Sequence, residues 1–164
     1  MEVDCSRLSD FDSWITLARE VEPLFGSMAD ELDFQEALRN AISTKTAFCI
    51  RFDSNEGEKN LIGGIVISTE TNEIAWLAVS QKCRRKGYGR KLVEFAIRKL
   101  NQRENIYVQT FDESVPEGAS ARKIYLEFGF ADIKDGGLNP AGVPTVIMQL
   151  EMIKGDGGAI ITIK

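Results

Sequence analysis

The chain has 164 residues, 43% of them hydrophobic and 27% charged, the balance of one ordinary folded domain with a core of its own. A net charge of −5 argues against general nucleic-acid binding, which depends on neutralising phosphates, and suits a cationic partner such as an amine better. There is no histidine, which removes Ser-His-Asp and Cys-His nucleophile mechanisms and most zinc sites.

Cys5, Cys49 and Cys83 are widely spaced and form no CxxC pair, so neither a disulfide framework nor a metal cluster is expected. The opening MEVDCSRLSD has no apolar signal core, and no stretch is apolar for long enough to span a bilayer. The expectation is a cytoplasmic protein without membrane attachment.

In chain order, Asp10 or Ser13 is placed to cap a helix carrying Trp14, Leu17, Ala18 and Val21, with Pro23 as its stop. Phe34, Ala37, Leu38, Ala41 and Ile42 mark a second amphipathic helix. The period then changes. Residues 47–52 read as a strand, 53–60 as a polar turn, 61–68 as the hairpin partner, and 73–79 as a third strand. A helix from about Gly89 carries Leu92, Val93, Ala96, Ile97 and Leu100 on one stripe. A strand over 106–111, a helix over 119–128 and a late strand over 145–152 complete the run. This order predicts a single α/β (α+β) domain over 1–154, with a mixed central sheet and helices on both faces. Residues 155–164 form a tail whose Ala159 to Ile163 suits an extra edge strand, a contact in a homodimer, or a frayed end.

The stretch that carries chemistry is Arg84-Arg85-Lys86-Gly87-Tyr88-Gly89, between the third strand and its helix. Glycines let backbone approach a phosphate closely. Free N–H groups at the helix start, backed by the positive end of the dipole, then point at the anion. Five basic residues within positions 84–91 add charge. A Walker loop does not fit, because no Gly-Lys-Ser/Thr occurs. A dinucleotide fingerprint does not fit either, because Leu92 stands where its third glycine belongs.

The segment matches Arg/Gln-x-x-Gly-x-Gly/Ala and so resembles the pyrophosphate loop of the GNAT superfamily of CoA-dependent N-acyltransferases. Ala121-Arg122-Lys123-Ile124-Tyr125-Leu126-Glu127-Phe128-Gly129-Phe130 resembles the superfamily's second signature, Ala-x-x-x-Tyr-x-x-x-Gly-Phe. One departure is Gly118, at a position where members often carry Asn.

The resemblance implies acetyl transfer from acetyl-CoA to a primary amine, on a small molecule or a peptide, by direct attack. It implies cofactor contacts from Leu77, Ala78 and Val79 along pantetheine, and from Arg84, Arg85, Lys86, Gly87, Tyr88, Gly89 and Arg90 around the pyrophosphate. Tyr125 takes the place of the residue that protonates the CoA thiolate. A backbone N–H near Val79 would polarise the thioester carbonyl.

Glu73, six residues before Val79, matches the catalytic base of some members and by strand alternation shares a face with Ala75, Leu77 and Val79. A solvated glutamate at a strand start is the other reading of it, and Glu113, Glu31 or a water chain are competing bases. Leu24, Phe25 and Met28, between the first two helices, are expected to line the acceptor pocket, with residues 140–144 as its opposite wall. Trp14 and Trp76 read as core, and Cys83 as a loop thiol with no required role. Two other functions stay open at this stage, a catalytically silent acyl-CoA sensor and a nucleic-acid binder using the basic loop.

Overall fold

The structure is a computed structural model, and it describes residues 1–52, 60–155 and 158–161. The polar turn expected from residue 53 lies, up to 59, outside the described residues. Strands β1 (Asp4–Cys5), β2 (Ala47–Arg51), β3 (Leu61–Ser68), β4 (Glu73–Val79), β5 (Ile106–Phe111), β6 (Ala131–Leu138) and β7 (Pro144–Leu150) form one sheet in the order β1-β2-β3-β4-β5-β7-β6. All neighbours in it are antiparallel except β4 and β5, which run parallel. Helices α1 (Phe11–Phe25), α2 (Leu32–Ser43), α3 (Tyr88–Lys99) and α4 (Ala119–Phe128) pack on this sheet.

Strand alternation divides the core in two. In β2, Ala47 and Cys49 join Trp14, Leu17 and Leu38 from α1 and α2. Phe48 and Ile50 turn the other way, to Leu92, Val93 and Ile97 of α3 and Tyr125 of α4. Each fully buried side chain of this size contributes about 1.5–3 kcal/mol by leaving water. Trp14 is fully buried because Gly64 leaves room for its ring, where a Cβ would stand 2.4 Å from Cη2.

Several boundaries differ from expectation. Pro23 does not stop α1, which runs on to Phe25. So near the C-terminus the missing N–H forgoes one helical bond, and the Gly26 N–H still closes the last turn on the Glu22 carbonyl (2.8 Å). Asp10 precedes α1 but makes no capping bond. Its carboxylate accepts instead from the Arg7 N–H (2.7 Å) and from Arg51 Nη2 (2.7 Å), which ties the start of α1 to β2. The late strand ends at Leu150, and Met152–Gly155 (β8) pairs with Gly158–Ile161 (β9) as a separate hairpin. The tail strand therefore folds on its own neighbour, not on the main sheet's edge.

Candidate active site

Strands β4 and β5 pair only at Glu73–Tyr107 and Ile74–Val108. Beyond Ile74 they part, and the backbone of β4 toward Val79 has no strand on that side among those described. Two cavities meet in the gap. A cleft of about 480 Å³ runs toward the basic loop, and a chamber of about 230 Å³ lies between the parting strands. Phe25, Leu77, Phe111 and Ala121 line both, so the two are continuous.

The cleft's far end is the start of α3. Gly87 is left-handed there (φ 85°), a conformation that favours glycine, and it sits at the N-cap position. The first helical bond runs from the Lys91 N–H to the Gly87 carbonyl (3.2 Å), so the N–H groups of Tyr88, Gly89 and Arg90 lack helical partners. Arg84, Arg85, Gly87, Tyr88, Gly89 and Arg90 line the cleft, as do Leu77, Ala78 and Val79 on its strand side. Lys86 is exposed and does not line it. Arg84 Nε reaches the Val79 carbonyl (3.3 Å), and Arg90 pairs with Glu127 of α4. Cys83 lines the cleft but is buried, packed in the α3 core.

Tyr125 lines the chamber, beside the junction residue Ala121 of the same helix. Its ring is buried edge-on to Phe130, with centroids 5.5 Å apart. Its hydroxyl has no hydrogen-bond partner among the described residues. Burial pushes the phenol well above its ordinary value, so the O–H keeps its proton. Core packing and cavity lining thus coincide in one side chain.

Glu73 is placed differently from expectation. Leu77 pairs with Ile65 and Trp76 with Val66, but Ile74 pairs with Ile67, which leaves Ala75 without an opposite residue. This bulge reverses the alternation, so Glu73 shares a face with Trp76 and not with Leu77 and Val79. Its carboxylate accepts from the Thr71 hydroxyl (2.9 Å) and lines neither cavity. Glu31 and Glu113 are exposed and line neither.

On the acceptor side, Leu24 and Phe25 line the cleft, whereas Met28 packs against the α1–α2 core. Residues 140–144 do not line the chamber, but the neighbouring Asn139 does. Its side-chain N–H donates to the Leu24 carbonyl (2.7 Å), and its Oδ1 accepts from Ala141 (2.9 Å) and Val143 (3.0 Å). Asn139 thus fixes the β6–β7 turn and fastens it to the end of α1. Gly26 makes the contact close, since a Cβ there would stand 2.6 Å from Pro140 Cβ. Phe25 is held between Phe111 (5.4 Å) and Trp76 (6.1 Å) as a roof over the junction. Trp76 is both core and chamber wall, while Trp14 is core alone.

Sequence reasoning missed Gln109, Thr110, Asn139 and Thr145, which supply the chamber's other polar groups. Alternation in β5 could signal only one of the first two, because Gln109 and Thr110 are consecutive and point to opposite faces. The latter two depend on β6, which exposed polar residues and two register shifts hide from any periodicity.

Residues 11–130 match the acetyltransferase (GNAT) family. No curated protein matches the sequence. A GNAT-family acetyltransferase from Bacillus cereus ATCC 10987 is 16% identical, with 93% of this chain and 98% of that one covered and a TM-score of 0.67. The ribosomal-protein-alanine N-acetyltransferase of Brucella melitensis is 13% identical, with 91% and 98% covered and a TM-score of 0.67. A chain of the NatC complex bound to Gag peptide and CoA is 23% identical, again with 91% and 98% covered, at a TM-score of 0.66. At such identities the likeness is one of fold.

Proposed function

The chain belongs to the acetyltransferase (GNAT) family, and from that premise we propose that it transfers an acetyl group from acetyl-CoA to a primary amine. The observation that carries this reading is the continuity of the cleft. An anion-binding helix start at one end and the Tyr125 hydroxyl at the other are joined through Leu77, Phe111 and Ala121.

The pyrophosphate of CoA would lie against the N–H groups of Tyr88, Gly89 and Arg90, with Arg84 and Arg85 supplying charge. Pantetheine would follow the strandless edge of β4, whose backbone N–H groups would polarise the thioester carbonyl as negative charge builds on its oxygen. The amine attacks from the chamber beneath Phe25. A carbon–nitrogen bond forms, the carbon–sulfur bond breaks, nitrogen sheds one proton and sulfur ends with one.

Tyr125 acts on the departing sulfur by hydrogen bonding. A thiol ionises near pH 8.5, well below a buried phenol, so complete transfer of the phenolic proton would run uphill. The hydroxyl stabilises the thiolate by donating a hydrogen bond to it and keeps its own proton. Glu73, bonded to Thr71 outside both cavity linings, does not touch the amine, and any part it takes in accepting the amine's proton is indirect.

Titration calorimetry with CoA tests the donor half of this reading. CoA should bind, and Arg85→Ala should weaken it with a deficit that shrinks as salt rises. Failure of the wild-type protein to bind CoA would reject the site.

A further inference from the structure

Two carboxylates border the cleft proposed for CoA, Glu117 just before α4 and Glu127 in its last turn. An acid beside a site for phosphates repels the ligand. The two are placed differently. Glu117 is exposed and makes no ion pair among the described residues. Glu127 is paired with Arg90 of α3, whose guanidinium also lies over the Phe128 ring, 4.8 Å from its centroid.

Arg90 belongs to the first turn of α3. Its backbone N–H is one of the three left without a helical partner, yet its side chain reaches across to α4. One residue earlier, Gly89 lets the two helices approach so closely that a Cβ there would stand 3.0 Å from Ile124 Cδ1. The spacing of the anion-binding turn from α4 is therefore set by a glycine contact at one residue and a charged clasp at the next. Neither partner of the clasp is buried, with 51% of the Arg90 side chain and 42% of that of Glu127 exposed. Such a pair biases the spacing of two helices and does not decide whether the domain folds.

Resting on the donor half of the reading above, we infer that Glu127 is a positioning residue for CoA. It acts through Arg90, which holds the N–H groups of Tyr88, Gly89 and Arg90 at one spacing from α4. The Arg90 side chain is then a clasp and not a phosphate ligand. To meet a phosphate the guanidinium would have to leave the ring and the carboxylate together, and Glu127 would be left unpaired at the edge of an anion site. Arg85 lines the same cleft and makes no ion pair among the described residues, so positive charge is at hand without Arg90.

Charge alone makes the removal of either carboxylate tighten CoA binding, and so does an Arg90 that Glu127 merely sequesters from the phosphates. The clasp gives the two carboxylates opposite signs. The test is titration calorimetry of CoA with the full chain and four variants, each first shown to be folded by thermal unfolding. Glu127→Ala should weaken CoA by about twofold to fivefold, the worth of an exposed ion pair. Glu117→Ala should leave the affinity unchanged or raise it. Arg90→Ala loses the ring contact as well as the pair and should weaken CoA by about 5- to 25-fold. In the Arg90→Ala background the carboxylate has nothing to position and only repels, so adding Glu127→Ala should cause no further loss.

Equal or tighter CoA binding by Glu127→Ala alone would overturn the inference and leave the donor site standing. A second, additive loss in the double variant would overturn it too, since Glu127 would then act without Arg90. A matching loss in Glu117→Ala would show a general effect of acids along α4 and overturn the clasp as the cause. Failure of the wild-type protein to bind CoA would remove the donor reading, and this inference with it.

Discussion

Replacing Tyr125 by Phe removes one oxygen from a side chain that otherwise belongs to the core. The ring is buried and edge-on to Phe130, contacts that Phe keeps, and no hydrogen bond is lost because the hydroxyl makes none to the described residues. Folding stability should therefore be unchanged or slightly raised, since a partly desolvated hydroxyl without a partner is itself a cost. Affinity for acetyl-CoA should hold as well, because the loop proposed to hold the pyrophosphate lies at the other end of the cleft.

What disappears is a hydrogen bond to a charged sulfur in the transition state, worth about 1.5–3 kcal/mol. At about 1.36 kcal/mol per decade, kcat should fall by about 10- to 150-fold with KM for acetyl-CoA little changed. Single-turnover thiol release at saturating acetyl-CoA reads this directly, alongside thermal unfolding of the same protein. An unchanged single-turnover rate would refute the assignment and return Tyr125 to packing alone. A marked loss of stability would refute the premise that the hydroxyl is structurally idle.

Gly87→Val forces a β-branched residue into a left-handed conformation at φ 85°, although its Cβ would meet no neighbour. The cost is conformational, about 1–2 kcal/mol, so CoA affinity by calorimetry should fall by about 5- to 30-fold; unchanged affinity would show that the loop binds no phosphate. Gly118→Asn restores the side chain common in the superfamily, but a Cβ there would stand 2.4 Å from Phe111 Cβ. Overpacking of about 1–3 kcal/mol should lower Tm without any gain in CoA affinity, and tighter CoA binding would contradict this. Glu73→Gln should lower turnover at neutral pH less than tenfold, since the carboxylate lines neither cavity; a larger loss, recovering in alkali, would place it in contact with the amine.

Asp10 supplies a pH-dependent contribution to stability. Burial alone would raise its carboxyl, but hydrogen bonds from Arg51 and the Arg7 N–H outweigh burial and hold it below the ordinary carboxylate value. A depressed folded-state pKa means that the stabilisation is fully present above the unfolded value of about 3.9 and is lost as pH falls through the folded one. Asp10→Asn should flatten the acid limb of a Tm-against-pH curve below about pH 4, and an unaltered limb would refute the assignment.

The sequence made the glycine helix start at Gly87 and the buried Tyr125 legible because both depend on local chemistry. A glycine at a helix start and a tyrosine on a helix stripe keep their meaning wherever the chain runs. All the principal helices and most strands were legible for the same reason, since each shows one period over its own length. Glu73 was misplaced because a single unpaired residue, Ala75, reverses the faces of β4, and nothing in Glu73-Ile74-Ala75-Trp76 marks a bulge. Asn139 and Thr145 could not be assigned, because their roles arise from contacts with Leu24 and Gln109, far away in the chain. Met28 reads as a pocket-lining residue between two helices, yet its amide is drawn in by the Glu22 carboxylate (2.7 Å) and its side chain joins the core.

The central claim is that the loop at Gly87 and the hydroxyl of Tyr125 serve one reaction, acetyl transfer from CoA to nitrogen. Its most direct test is to count free thiol released from acetyl-CoA against acetylated amine formed, with a peptide α-amine as acceptor. One thiol per acetyl amide, with both reduced together in the Gly87→Val protein at subsaturating acetyl-CoA and in the Tyr125→Phe protein, is the expected result. Binding of acetyl-CoA with no amine-dependent thiol release, over a panel of α-amines and alkylamines, would contradict it.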